Sequence, residues 1–144
     1  MQVARHLGAY VIGTAGPQST AAVRGLGADE VVDYTSGPLL LDGPVDAVVN
    51  CAAIGDTAAR ALPALVRPGG RVVTVATAVP PAAGVAAWHM VTRNDPATLT
   101  TLVGLVDAGV IRLPISDRRD LDELPELHRL SEAGALRGKV VVRV

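Results

Sequence analysis

The clearest structural pattern in this sequence runs from Gly8 to Tyr34. Gly8-Ala-Tyr-Val-Ile-Gly13-Thr-Ala-Gly16 is a short apolar run that leaves through small residues. Pro17 suits the first turn of a helix, where its missing N–H is harmless. Ala22, Val23 and Leu26 can supply the buried face of that helix, and Gly27 stands where a C′ residue is wanted. Asp29-Glu-Val-Val-Asp33-Tyr34 then gives a second strand of the same kind. Strand, helix and strand within about thirty residues is the pattern of a βαβ unit. A parallel strand exposes both faces until helices cover them, so the rest of the chain must supply neighbours.

The remaining sequence supplies them. Met1 to Leu7 reads as the last turns of a helix, ended by Gly8. After Val31-Val32 comes a loop with Gly37-Pro38 and Gly43-Pro44, between which Leu39-Leu40-Leu41 can pack onto the sheet. Val45 to Asn50 is a strand with a small-residue exit, Cys51-Ala-Ala-Ile-Gly55, and a helix follows from about Asp56 to Leu65. Arg67-Pro68-Gly69-Gly70 turns the chain into a strand from Arg71 to Ala76. Pro80-Pro81 breaks the pattern before a further strand near Val85 to Val91. Asp95-Pro96 starts a helix with a capping side chain and Pro at the first helical position. Leu99, Leu102, Val103 and Val106 fall on one face of it, and Gly109 ends it. Ile111 to Ile115 is extended, and a helix from about Asp122 to Ala133 offers Leu124, Leu127, His128 and Leu130 to its inner face. Gly138-Lys139-Val-Val-Val-Arg143-Val144 closes with a strand. No repeat, low-complexity tail or linker divides the chain, so residues 1–144 read as a single α/β domain.

Composition narrows the function. A net charge of −1 offers neither a nucleic-acid footprint nor an acidic tail. The single cysteine, Cys51, excludes an intramolecular disulfide and a cysteine-rich zinc site. There is no Phe and one Trp, Trp88, which suits helices on a parallel sheet better than an aromatic-rich sandwich. The first residues carry no secretory signal pattern, and no apolar run reaches membrane-spanning length, so a soluble cytoplasmic protein is expected.

The exits from the strands hold the functional interest, because ligands of open parallel sheets bind outside the carboxyl ends of the strands. Thr14-Ala15-Gly16, Cys51-Ala52-Ala53 and Ala76-Thr77-Ala78 are all small, which lets a flat or phosphorylated ligand approach the backbone. The plain alternative is that Ala and Gly abound in this chain; three parallel small exits favour a nucleotide-type site. Neither G-x-G-x-x-G nor G-x-x-x-x-G-K-[ST] is present. Thr14 stands where an acidic residue would bind the ribose of NAD, which favours NADP(H). No Lys or Arg for a 2′-phosphate stands close by, Arg24 being further along the helix, so NAD stays open. His6, His89 and His128 lie on different elements without acidic residues at metal-ligand spacing; they read as structural or solvated, and no metal site is expected. Cys51 reads as a small core residue rather than a nucleophile. Asp117 to Asp122, with Arg118-Arg119, reads as a solvated loop. No nucleophile–base pair can be assembled, so catalytic residues stay unassigned.

Five segments, in order, carry a family resemblance: Leu26-Gly-Ala-Asp-Glu-Val-Val-Asp-Tyr34, Arg67-Pro-Gly-Gly-Arg-Val-Val-Thr-Val75, Leu105-Val-Asp-Ala-Gly109, His128-Arg-Leu-Ser-Glu-Ala-Gly134 and Gly138-Lys-Val-Val-Val142. The chain resembles the C-terminal, cofactor-domain portion of a medium-chain dehydrogenase/reductase, of the quinone oxidoreductase-like branch of the zinc-binding dehydrogenase family. The resemblance implies a truncated Rossmann-type parallel sheet with flanking helices, lacking the first strand and glycine-rich loop, plus a C-terminal helix and strand. It also implies that an amino-terminal GroES-like domain, with which about 112–144 would pack, is absent, and that Met1 is an internal start within a longer reading frame; the sequence upstream in the same frame tests that.

In the family's strand order, 3-2-1-4-5-6, strand 1 is central. Its loss would leave Val11-Ile12 and Val45 to Val49 each with an open edge. The final strand would lose its partner with the absent domain, and it or a second copy of the chain is expected to fill the gap. The activity implied is NADPH-dependent reduction of a quinone, enone or similar carbonyl substrate. The alternatives are an inert fragment or a binding module that pairs with a separately encoded catalytic half, as partner or homo-oligomer, and more distantly a methyltransferase. By carry-over, Thr14, Ala15, Gly16 and Tyr34 lie near the adenosine ribose and its phosphate. Asn50, Cys51, Ala52, Ala53, Ala76 and Thr77 line the ribose and nicotinamide path, with His89, Met90 and Val91 beside the nicotinamide. Gly16, Pro17 and Gln18 depart from the family's usual Ser and basic residue there.

Overall fold

The computed structural model describes residues 1–136 and 138–144, in two compact units: 1–31 with 96–144, and 32–95. In the first unit, α1 (Gln2–His6) precedes β1 (Ile12–Ala15), a 3₁₀ turn at Pro17–Ser19 and α2 (Thr20–Gly25). β1 pairs with β2 (Glu30–Asp33), which carries the chain into the second unit. The glycines predicted to end helices do so in the left-handed region, Gly8 at φ +85° and Gly27 at φ +97°. Behind Gly27, Ala28 N–H reaches back to the Val23 carbonyl at 3.3 Å and closes the C-terminus of α2.

Gly13 shows why β1 and α2 can pack closely. A Cβ there would stand 2.7 Å from Val23 Cγ1 and 3.3 Å from Ala28 Cβ. Gly13 to Ala15 continue the strand rather than forming its exit, and the chain turns only at Gly16. Asp29 ties the unit together: its carboxylate accepts the Val11 N–H at 2.8 Å and pairs with Arg5 of α1. The Val11 N–H, and then the Arg5 guanidinium, hold that carboxyl below the usual range.

The second unit holds β3 (Val45–Asn50), α3 (Asp56–Ala61), a 3₁₀ turn at Leu62–Leu65, β4 (Val66–Thr74) and β5 (Ala86–His89). These strands form a parallel sheet in the order β3-β4-β5. Its core is Leu62, Val66, Val72 and Val85, with Val45, Val48, Ile54, Leu65 and Val79 packed against it. Arg67 to Gly70 are a bulge inside β4 rather than a turn before it. Val45 pairs with Val66 but Ala47 pairs with Arg71, so the four intervening residues loop out. Leu40, expected to pack onto the sheet, is 80% exposed.

Back in the first unit, α4 (Pro96–Asp107) begins at Pro96 and is ended by Gly109 at φ +72°. Its apolar stripe is not buried: Leu99 is 63% exposed and Val103 49%. The run from Asp117 is a correction to the expectation of a solvated loop. Ile115–Asp120 is a strand, β6, paired in parallel with β7 (Lys139–Arg143). Alternation explains how so polar a run can be a strand. Asp117 and Arg119 project to one side, where Arg119 bonds Asp117 at 2.7 Å and Glu123 at 2.8 Å, while Asp120 meets Arg143 across the ladder at 2.8 Å.

β7 therefore has its partner, β6, within the chain. Among the described residues β1 pairs with β2 alone and β3 with β4 alone, so each has an open edge. α5 (Leu124–Glu132) is entered through a 3₁₀ turn whose Asp120 and Glu123 form a capping box; Leu127 is buried, Leu130 half-buried and His128 exposed. No helix among the described residues is long and apolar enough to cross a membrane.

Candidate site at the carboxyl ends of the parallel strands

Because β3, β4 and β5 are parallel and in register, their carboxyl ends share one edge: Asn50 stands beside Thr74, and Thr74 beside His89. That row brings together the predicted residues of the second unit. Asn50 ends β3 and closes its own exit, its amide donating to the Ala52 carbonyl at 2.9 Å and its Oδ1 accepting the Ala52 N–H at 3.3 Å. Cys51 lies beyond this turn as a free, exposed thiol, which corrects its reading as a core residue. The strand has ended before it, so no sheet face covers it. Ala52 and Ala53 are exposed beside it.

Ala76 and Thr77 form the exit of β4. The Thr77 hydroxyl donates to the Ile54 carbonyl and accepts the Ile54 N–H, both at 3.0 Å, and so stitches the β3 and β4 exits together. At the end of β5, Met90 N–H bonds the Thr74 carbonyl at 2.8 Å. Met90 and Val91 are 56% and 77% exposed, so an apolar rim borders the polar row. Trp88 lies with Arg71 over its ring, 5.5 Å from the centroid.

The other candidates stand on other elements. Thr14 and Ala15 end β1 in the first unit; Thr14 is exposed and Ala15 buried. Gly16 begins the 3₁₀ turn, its carbonyl accepting Ser19 N–H at 2.9 Å and the Thr20 hydroxyl at 3.3 Å. Tyr34 follows β2 and is 58% exposed. Next to it, the Thr35 hydroxyl and then the Thr35 N–H hold the Asp33 carboxyl below its ordinary value.

Sequence reasoning missed Thr74. It is fully buried, and its hydroxyl meets His89 Nδ1 at 3.1 Å. The signal was its place: Val72 and Thr74 alternate onto one face of a valine-rich strand, and a hydroxyl at such a position must have a partner. Among the described residues no three His, Cys, Asp or Glu are grouped to hold a metal ion.

A parallel sheet with small-residue exits along one carboxyl edge defines a Rossmann-like cofactor domain. The chain belongs to the zinc-binding dehydrogenase family, whose profile matches residues 26–142. It is 35% identical over 144 residues to the spectinabilin polyketide synthase system protein NorB of Streptomyces orinoci, covering 95% of this chain and 6% of that protein. Among solved structures, the quinone oxidoreductase from Coxiella burnetii matches at 27% identity and a TM-score of 0.83, over 99% of this chain and 47% of that one. A putative alcohol dehydrogenase from Sinorhizobium meliloti matches at 26% identity and a TM-score of 0.80, over 98% of this chain and 43% of that one. The chain thus spans less than half the length of these solved relatives. The described residues offer no ligand set for the metal in the family's name.

Proposed function

We propose that this chain is the nicotinamide-binding portion of an NADPH-dependent oxidoreductase acting on a quinone, enone or similar carbonyl compound. The observation that carries the reading is the aligned row Asn50, Thr74, His89, flanked by the small exits Cys51-Ala52-Ala53 and Ala76-Thr77. A flat ring can approach the sheet edge there without meeting a large side chain, and Met90 and Val91 offer it an apolar border. The side chains of Asn50 and Thr77 are committed to holding the exits in shape. When bound, such a cofactor supplies the hydride, and the protein's part is to orient it. Thr14, Ala15, Gly16 and Tyr34 are assigned to the adenosine ribose, and Thr14 in place of an acidic residue favours NADPH over NADH.

No G-x-G-x-x-G stands in the sequence to grip a pyrophosphate, so the expected affinity of the chain alone is weak, with Kd around the millimolar range. Titration of the labelled chain with NADPH, followed by amide NMR, tests the reading. Shifts concentrated at Cys51 to Ala53, Ala76-Thr77 and His89 to Val91 are expected. A titration that leaves those residues unmoved at millimolar NADPH would overturn it and favour an inert fragment.

A further inference from the structure

Resting on that placement of the nicotinamide, the geometry points to Thr74 as a positioning residue that fixes the tautomer of His89, so that in the neutral ring the proton is on Nε2, offered to a carbonyl-type oxygen of the bound ligand. Thr74 is fully buried, so no water reaches its hydroxyl. Among the described residues the hydroxyl has one partner, His89 Nδ1, at 3.1 Å. A hydroxyl both donates and accepts, but its proton must go somewhere, and a buried donor left unpaired is costly.

Nδ1 is the acceptor within reach, so the hydroxyl donates and Nδ1 carries no proton. In the neutral ring the proton then sits on Nε2. In the opposite tautomer Nδ1–H would donate to the hydroxyl oxygen and leave the buried hydroxyl proton without an acceptor. By the usual cost of an unpaired buried donor this biases the pair about tenfold or more toward Nε2–H. The same bond stops the ring from rotating about its side-chain torsions. His89 ends β5 on the exposed carboxyl edge, in register with Thr74 and two strands from Asn50, so Nε2–H is held beside the proposed ligand path. A carboxamide or ketone oxygen is the chemistry such a donor recognises.

The test is long-range ¹H–¹⁵N NMR of the His89 ring in the 144-residue chain, at a pH where histidine is neutral, without ligand and then with NADPH. Thr74→Val, nearly isosteric, and Thr74→Ser, which keeps the hydroxyl, are measured alongside. Expected in the parent are an unprotonated Nδ1 and a single ring orientation. Thr74→Val should lower the tautomer ratio several-fold and average the ring orientation, and Thr74→Ser should restore both. Addition of NADPH should displace the Nε2–H resonance in the parent. A protonated Nδ1 in the parent, or a ring unaffected in a folded Thr74→Val variant, overturns the Thr74 assignment whatever the ligand does. A fixed Nε2–H that ignores NADPH overturns the ligand role of His89 and the nicotinamide placement with it, while leaving the tautomer lock standing.

Discussion

Replacing Gly70 with Ala gives the most direct test of how the second unit is assembled. Gly70 closes the bulge in β4, and a Cβ built there would lie 2.5 Å from the Asp46 carbonyl oxygen and 3.0 Å from the Arg67 carbonyl oxygen, and against Val66 Cγ1. The Val66 methyl can rotate away, but the Asp46 carbonyl belongs to the backbone of β3 and cannot. Normal van der Waals contact requires β3 and the bulge to separate by several tenths of an ångström or more. Overpacking of this kind costs about 1–3 kcal/mol. For a chain of this size that is a fall in Tm of about 3–10 °C.

Gly55 is the matched control. It sits at φ −68° and ψ 160°, which any residue adopts, and nothing lies within 4 Å of its missing Cβ. Gly55 is also the N-cap of α3, where Gly is preferred to Ala, so Gly55→Ala sets a gain through the unfolded chain against a weaker cap and should change stability by less than about 1 kcal/mol. Thermal and urea unfolding followed by circular dichroism distinguish the two. Because the bulge sets Ala47 against Arg71, and hence Asn50 against Thr74, Gly70→Ala should also move the amide resonances of Asn50 and His89. A Gly70→Ala variant as stable as Gly55→Ala, with those resonances unmoved, would refute the bulge as the element that sets the register.

Val72→Ala, at a fully buried position in a four-residue core, should cost about 2–3 kcal/mol, read from the urea midpoint at unchanged m-value. Arg119 pulls the Asp117 and Glu123 carboxyls below their ordinary values of 3.8 and 4.5, so its stabilisation is present above pH 5 and fades as pH falls through the lowered folded-state values. Urea midpoints of Arg119→Gln and the parent should accordingly differ at pH 7 and converge below pH 4; a gap that widens on acidification would contradict the pairing. Arg71→Gln removes the cation over Trp88 and should cost less than about 1 kcal/mol while shifting the emission of the single Trp; an unchanged spectrum would place the guanidinium elsewhere.

Most of the elements, and the family, can be read from the sequence. Apolar runs of strand length and Pro96, Gly27 and Gly109 at helix ends act within a few residues of one another, so they can be read along the chain. The small exits at Cys51 to Ala53 and Ala76-Thr77 were legible for the same reason, and the parallel sheet then set them on one edge. What the tertiary structure decided depends on contacts between distant residues. Ile115–Asp120 looks like a solvated loop until Lys139–Arg143 pairs with it and Arg119 and Arg143 neutralise its carboxylates. Cys51 follows a strand and looks buried, but the Asn50 turn carries it past the end of the sheet. The apolar stripe of α4 satisfies helical periodicity, yet periodicity says only which residues share a face and not whether anything covers it. Thr74 and His89 are fifteen residues apart and become a pair only when β4 and β5 lie in register, because a side chain's hydrogen-bond partner is fixed by strand alignment rather than by local sequence.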